Sequence, residues 1–295
     1  YVFNNISLPG VKYKYGNPLL TWEKAANFNI GLDGTFLNNN LFIALDYFNK
    51  TTWDILLAPV VSSVFGGSQA TENAGRMRNR GWELTANYKL NSGEFRHNFN
   101  LNISDSKNKV VDFGGKEDIH SNDELYKLIR EGEALGSYYG LKTDGLFQSY
   151  EEIANSAVPI GVVAQPGDVK YLDQNNDDII DDKDRVVLGN AFPRYTFGFT
   201  YDVAWKDFDL RIFLQGTGKR EMFVRGELIE PFHSNYSYAI YQHQLDFWTP
   251  TNPDARWPRL VAPSTPSSTN NWKQKGSDIY LLSGAYLRAL PIHGI

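Results

Sequence analysis

Several stretches of the chain alternate between apolar and polar residues, which is the pattern of β-strands with one apolar face. In residues 27–36 one side of the ribbon carries Phe28, Ile30, Leu32 and Phe36, and the other carries asparagine, aspartate and threonine. The same pattern occupies residues 41–50, 82–90, 95–103, 195–205 and 208–214. Such runs are about 9–11 residues long, the length that a tilted strand needs to cross a bilayer.

Short turns join these strands in three pairs. The predicted turns are Asn38–Asn40, residues 91–94 and Lys206–Asp207. Long stretches follow the second strand of each pair, at residues 57–79, 105–193 and 217–276. Short turns at one end and long loops at the other are typical of barrels in the bacterial outer membrane, where the long loops lie outside the cell.

A soluble β-sandwich also alternates, with its apolar faces in the core, so the pattern alone leaves both folds open. Two features favour the membrane. The predicted apolar faces are rich in ring side chains and carry no Lys, Arg, Asp or Glu, in a chain with 17 Tyr and 18 Phe. The opposite faces are rich in Asn and Thr, as expected for a water-filled lumen. The prediction is therefore an all-β fold, part of a large antiparallel transmembrane β-barrel.

Composition excludes several other classes of protein. No stretch of about 18 apolar residues predicts a transmembrane helix, and the absence of cysteine excludes disulfides and thiolate metal sites. The net charge of -5 gives no reason to expect nucleic acid, and the start at Tyr1 shows no signal-peptide pattern. The five histidines lack metal-ligand spacing and no nucleophile-elbow motif occurs, so we predict no enzyme.

Residues 173–184 form an acidic segment with the spacing of an EF-hand calcium loop. The predicted ligands are Asp173, Asn175, Asp177, Ile179 through its carbonyl, Asp181 through water, and Asp184. Asp178 stands where this loop normally has glycine, and Asp184 stands where it normally has glutamate. The segment predicts a structural Ca²⁺ site, with Mg²⁺ second, and the alternative is a solvated acidic turn.

A series of short motifs runs in order along nearly the whole chain. They include Gly16-Asn17-Pro18 with Leu20-Thr21-Trp22-Glu23, Asp46-Tyr47-Phe48, Pro166-Gly167-Asp168, Phe247-Trp248-Thr249-Pro250, Pro258-Arg259-Leu260 and Tyr286-Leu287-Arg288. In this order and spacing they resemble the SusC/RagA-like TonB-linked (TonB-dependent) outer-membrane transporters of Bacteroidetes-type bacteria.

The resemblance implies that residues 1–295 are the later part of a barrel of about 22 strands, with the N-terminal plug and the final strands absent. It implies import of oligosaccharides, glycans or peptides through the outer membrane, together with a SusD-like surface lipoprotein, and with TonB acting through the missing N-terminal region. Two alternatives stay open, namely a passive porin-like channel and a secreted, calcium-stabilised β-sandwich that binds carbohydrate.

Aromatic residues in the long loops are the candidates for substrate contact, because rings stack on sugar faces and on peptide side chains. They are Tyr138, Tyr139, Phe147, Trp248 and Trp257. The alternative for each is that its ring packs the loop itself.

Overall fold

The N-terminal part of the chain consists of β-strands. The structure is a computed structural model that describes residues 16–57, 70–122, 125–226, 229–231, 240–261 and 276–294, and the ribbon of β1 (Val2–Phe3) and β2 (Ile6–Ser7). The next four strands are β3 (Lys24–Phe36), β4 (Leu41–Leu57), β5 (Glu72–Ser92) and β6 (Phe95–Asp112).

A folded excursion follows β6. Its elements are β7 (Glu117–Asn122), β8 (Leu125–Arg130), β9 (Ser137–Leu141), β10 (Thr143–Leu146), helix α1 (Tyr150–Ala154), β11 (Val158–Pro159), β12 (Val169–Tyr171), β13 (Ile179–Ile180), a 3-10 turn (Asp182–Asp184) and β14 (Arg185–Gly189). Strands β14, β9, β8 and β7 form a four-stranded sheet in that order, and β10 pairs with β12 and β11 with β13. The predicted loop at 105–193 therefore has secondary structure of its own.

The last elements lead away from the long strands and back to them. They are β15 (Arg194–Trp205), β16 (Phe208–Lys219), β17 (Glu221–Phe223), two 3-10 turns (Gln242–Leu245 and Asp278–Tyr280), β18 (Leu281–Ser283) and β19 (Tyr286–Gly294). Strand β17 follows β16 along the chain and β18 precedes β19, so the pair of β17 and β18 lies next to the pair of β16 and β19.

Seven long strands form one antiparallel sheet in the order β3, β4, β5, β6, β15, β16, β19. The register places Leu84 opposite both Leu45 and Ile103, and Ile103 opposite Phe197. Because residues directly opposite each other point to the same side, the apolar rows merge into one surface, which we call the ring face. The other side, with the Asn and Thr rows, is the polar face.

Nothing in the described residues packs over the ring face as a second sheet. Leu32 remains 77% exposed and Phe208 65% exposed. A sandwich would bury these side chains between two sheets, so the sandwich alternative is wrong and the prediction of a barrel wall is confirmed. In the described part of the chain, no helix is both long and apolar enough to span a membrane.

The three predicted turns are confirmed, and each depends on residues that accept a positive φ. Leu37, Asn38 and Asn39 have φ of 52°, 53° and 67°, a region that asparagine enters more readily than most residues. Gly93 (φ 61°) and Lys206 (φ 53°) make the other two turns. All three turns lie at the same end of the sheet, because the strands that lead into them, β3, β5 and β15, run in the same direction.

The strands are longer than predicted, which corrects the loop bounds. Strand β5 has 21 residues and begins at Glu72, β6 continues to Asp112, and β16 continues to Lys219. The loops predicted at 57–79, 105–193 and 217–276 therefore begin or end several residues inside those limits. The apolar rows end where the lipid would end, but backbone pairing needs no apolar face and continues beyond them.

Among the described residues, most of the buried side chains lie outside the long sheet, in the described parts of 113–193 and 220–285, which we call the loop body. One cluster contains Leu141, Val169, Tyr171 and Ile180. A second contains Trp257, Val261 and Tyr280, and Ile279 packs against both clusters. The two long loops thus share one continuous core.

Candidate functional site

The polar face carries a network of side-chain hydrogen bonds across three strands. Asn87 Nδ2 donates to Asn98 Oδ1 (3.1 Å), and Asn98 Nδ2 donates to Asp202 Oδ2 (3.2 Å). Thr85 Oγ1 donates to Asn102 Oδ1 at 3.1 Å. Amides that bond to one another keep further donors and acceptors free for water or a polar solute. The wall is therefore suited to an aqueous path.

Charges on the polar face change along the strands. Asp46 lies directly opposite Glu83 near the middle of the sheet, a like-charge arrangement that costs stability in sheets. Lys89, Arg96 and Arg211 lie near the short turns, where they line a recess of about 460 Å³. Asp202 and Asp209 line the same recess, and Asp202 is bound to Arg211, so the charges near the short turns are mixed.

Three sequence motifs meet at one joint in the loop body. Gly167 has φ of +87°, and a Cβ atom there would collide with the ring of Trp248 and with Cβ of Arg259. The backbone N–H of Arg259 donates to the Gly167 carbonyl at 2.8 Å. Only glycine permits both the positive φ and this close approach. The joint explains why glycine stands between Pro166 and Asp168.

A buried ion pair reinforces the joint. Arg259 Nε donates to Asp168 Oδ1 at 2.7 Å, and Asp168 is 0% exposed. A buried carboxylate requires such a partner, because removing a charge from water costs several kcal/mol. Arg225 and Glu230 form a second ion pair, in which Glu230 is also buried.

Further contacts hold the two long loops together. The Thr143 N–H donates to Asp278 Oδ1 (2.9 Å), and the Leu141 N–H donates to the Gly276 carbonyl (3.0 Å). Trp248 Nε1 donates to Gln148 Oε1 at 2.9 Å. The contacts come from separate parts of both loops, so the loop body is one unit instead of two independent flaps.

The structure buries four of the five aromatic residues predicted to contact substrate. Tyr138, Phe147, Trp248 and Trp257 are buried, whereas Tyr139 is half-buried beneath Arg130. Their rings pack the loop body, and Tyr138, for example, lies 5.9 Å from the ring of Phe223. Substrate contact stays a prediction for all five, and the four buried rings have little surface left for it.

The acidic segment forms a compact turn. Asp173 Oδ1 accepts from the Asn176 N–H (2.6 Å) and Oδ2 from the Asp178 N–H (2.8 Å). Asp178 has φ of +62°, so it takes the backbone conformation that glycine has in an EF-hand loop. Asp184 is buried and accepts from the Gln174 N–H at 2.8 Å.

The predicted ligand oxygens do not all face one point. Lys183 Nζ lies 3.5 Å from Asp177 Oδ2 and 3.6 Å from Asp181 Oδ2. Among the described residues, no group of three or more His, Asp or Glu side chains is arranged to hold a metal ion. The calcium site stays a prediction.

A cluster of charges supports helix α1. The Gln148 N–H donates to Glu152 Oε2 at 2.7 Å and holds the pKa of Glu152 below its ordinary value. Burial raises this pKa, and the hydrogen bond and charge of Lys170 lower it further. Lys170 Nζ lies 2.9 Å from Glu152 and 3.0 Å from Asp144, and hydrogen bonds to these carboxylates raise the pKa of Lys170. Burial raises the pKa of the nearby Tyr171.

Comparison with known proteins agrees with this architecture. The family described as "TonB dependent receptor-like, beta-barrel" matches residues 2–217. "TonB-dependent receptor P26" of Formosa agariphila is 31% identical over 94% of the chain, and "TonB-dependent receptor SusC" of Bacteroides thetaiotaomicron is 26% identical over 74%. The chain covers 28% and 21% of these two proteins, respectively.

A solved structure shows the same fold. The "RagAB peptide transporter" aligns with a TM-score of 0.65 over 93% of this chain and 29% of its own, at 20% identity. The chain belongs to the TonB-dependent receptor-like β-barrel family of bacterial outer-membrane transport proteins, as the family match over residues 2–217 shows.

Proposed function

We propose that the protein that contains this chain imports oligosaccharides, glycans or peptides across the outer membrane, driven through TonB and assisted by a SusD-like surface lipoprotein. The main support is the combination of a hydrogen-bonded polar face with a loop body built from both long loops. A related protein is named SusC, and the RagAB structure is described as a peptide transporter.

In this proposal the short turns face the periplasm and the loop body lies outside the cell. Outer-membrane barrels have short periplasmic turns and long extracellular loops. The polar face then lines the path of the solute, and the ring face contacts lipid.

Uptake by living cells tests the proposal. A strain that lacks the full receptor is complemented with wild-type protein, with Asn100→Trp on the polar face, or with Leu101→Trp on the ring face. Asn100 lies opposite Asn87 and Thr200, so an indole there breaks the polar network and narrows the path. We expect reduced uptake of labelled oligosaccharide or peptide with Asn100→Trp and near wild-type uptake with Leu101→Trp.

A protonophore separates active import from passive diffusion. Import through TonB stops when the proton gradient is removed, whereas a porin-like channel continues to pass solute. Uptake that survives the protonophore, or that equals the level of the deletion strain for every labelled polymer, contradicts the proposal. Co-purification of the receptor with a surface lipoprotein tests the partner separately.

A further inference from the structure

Basic side chains are concentrated on the ring-face side of two neighbouring strands, β5 and β6, beyond the last ring of each strand. On β5, Arg78 and Arg80 point to the same side as Trp82, because they are two and four residues from it without an intervening bulge. On β6, Lys107 and Lys109 share the side of Ile103 for the same reason. Arg76 continues the row on β5.

These positive charges face each other directly. Arg80 lies opposite Lys107, and Arg78 lies opposite Lys109. Like charges in opposite positions destabilise a sheet unless a counter-charge lies between them. Two acidic residues flank them. Asp105 is bound to Arg194, and Asp112 lies opposite Arg76 and accepts from the Gly114 N–H at 2.9 Å. Within the residues that the structure describes, no ion pair neutralises the four basic side chains.

The height of these residues relative to the bilayer is set by the rings. Trp82 is the last ring of β5 toward the loop body and lies opposite Tyr47, and such rings favour the membrane interface. Arg80 follows two residues farther, roughly 7 Å along the strand. The headgroup layer on one side of the bilayer is about 5–8 Å thick. Arg80 and Lys107 therefore lie at headgroup level on the lipid side of the wall, and Arg78 and Lys109 lie roughly 7 Å farther out along the strands.

We propose that Arg78, Arg80, Lys107 and Lys109 form a binding site for the phosphate groups of an anionic lipid headgroup in the outer leaflet. Guanidinium groups bind phosphate through two parallel hydrogen bonds, and lysine contributes point charges. The charged site is continuous with the ring face, so one molecule places its acyl chains on the rings and its phosphates between the strands. This inference rests on the proposed function in one respect only, namely that the end of the sheet next to the loop body faces out of the cell.

Native mass spectrometry of the full receptor tests the site. The receptor is extracted in mild detergent, freed of lipid and titrated with a phosphorylated outer-leaflet glycolipid. The test variant is Arg80→Gln/Lys107→Gln, and the matched control is Lys89→Gln/Arg96→Gln, which removes two charges from the same strands on the polar face. Since a basic residue near a charged membrane surface contributes substantially to lipid binding, we expect the test variant to bind roughly tenfold or more weakly. The control should bind as wild type does.

Three further measurements keep the result independent of any folding defect. Wild-type receptor should lose binding when the glycolipid is replaced by its dephosphorylated form with the same acyl chains. The Arg80→Lys/Lys107→Arg variant, which retains both charges, should retain binding. Inorganic phosphate at millimolar concentration should not displace the lipid, because it lacks the acyl chains.

The proposal is overturned if the test and control variants bind equally, if dephosphorylation leaves binding unchanged, or if inorganic phosphate displaces the lipid completely. Lipid binding and solute uptake are measured separately, so a failure of the transport proposal can be distinguished from a failure of the lipid-binding proposal. A receptor that does not import the tested polymers should still bind the phosphorylated lipid.

Discussion

The long sheet and the loop body place their apolar side chains in opposite ways. In the loop body, Phe147, Leu141, Val169 and Ile180 are almost completely buried, as in any water-soluble domain. On the sheet, Phe28, Ile30 and Leu32 are largely exposed. Among the apolar residues whose burial the structure describes, Val110 is the only buried one in a long strand. The loop body thus has its own core, whereas the sheet depends on lipid to cover its apolar surface.

This difference separates two sources of stability within one chain. Hydrophobic burial, salt bridges and close packing stabilise the loop body, because it folds against water. Backbone pairing and contact with lipid stabilise the sheet, because no unpaired polar backbone group is tolerated in hydrocarbon. Substitutions in the two regions should therefore be detected by different measurements.

The largest effect is expected at the joint of the loop body. Arg259→Ala leaves the buried carboxylate of Asp168 without its cation, which should cost about 3–5 kcal/mol in local stability. Limited proteolysis of the full receptor in detergent should show faster cleavage in the loop body, whereas the barrel keeps its heat-resistant mobility in gels. Arg256→Ala, at an exposed neighbouring position, is the control. Equal protease resistance of both variants contradicts the shared-core interpretation.

A charge at the centre of the ring face should act on the sheet alone. Leu101 lies between Ala86 and Phe199 in the apolar rows, and Leu101→Arg should destabilise the barrel by about 2–4 kcal/mol in a bilayer. Asn102→Arg, one residue farther on the polar face, should cost much less. Unfolding by guanidinium in lipid vesicles measures both. If Asn102→Arg lowers the free energy of unfolding more than Leu101→Arg does, the assignment of the two faces is wrong.

Calcium tests the contribution of the acidic segment to the loop body. A bound ion should stiffen residues 173–184 and raise protease resistance in calcium relative to chelator. Asp173→Ala/Asp177→Ala should remove this difference, whereas Asp182→Ala, outside the predicted ligand set, should retain it. A wild-type receptor that is equally resistant with calcium and with chelator contradicts the calcium prediction.

The smallest effect is expected from the charges around helix α1. Because the pKa of Glu152 is lowered in the folded state, its contribution is complete above its ordinary pKa and is lost as pH falls through the lowered value. The contribution should be below about 1 kcal/mol, since the pair is partly solvated. Hydrogen exchange in residues 146–154, corrected for intrinsic rate, should accelerate on acidification. Glu152→Gln should reduce the dependence of the exchange rate on pH. A variant with the wild-type pH dependence contradicts the contribution assigned to Glu152.

The sequence predicted the sheet well because its period-2 pattern is a local signal. Alternation in residues 82–90 and 95–103 is visible without knowledge of any partner strand, and the turn at Gly93 fixes their register. The same signal could not locate the ends of the strands. Arg78 and Lys109 still pair, although the apolar pattern has already stopped.

The loop body was less predictable, because long-range contacts define it. The motifs around Gly167, Trp248 and Arg259 were visible in the sequence, but nothing local indicated that they meet at one joint. The buried pair of Asp168 and Arg259 joins residues 91 positions apart. The basic site on the ring face was also missed, although the alternation of Arg76, Arg78 and Arg80 in the sequence was a sufficient signal.

Alternating accessibility along β5 tests the central claim most directly. The 295-residue chain has no cysteine, so single cysteines at positions 84 to 88 of the full receptor, in a cysteine-free background, each report on one face. In outer-membrane vesicles, positions 84, 86 and 88 should react with a lipid-soluble maleimide, and positions 85 and 87 with a membrane-impermeant one. Equal reaction of all five positions with the impermeant reagent would show that water covers both faces and would contradict the barrel wall.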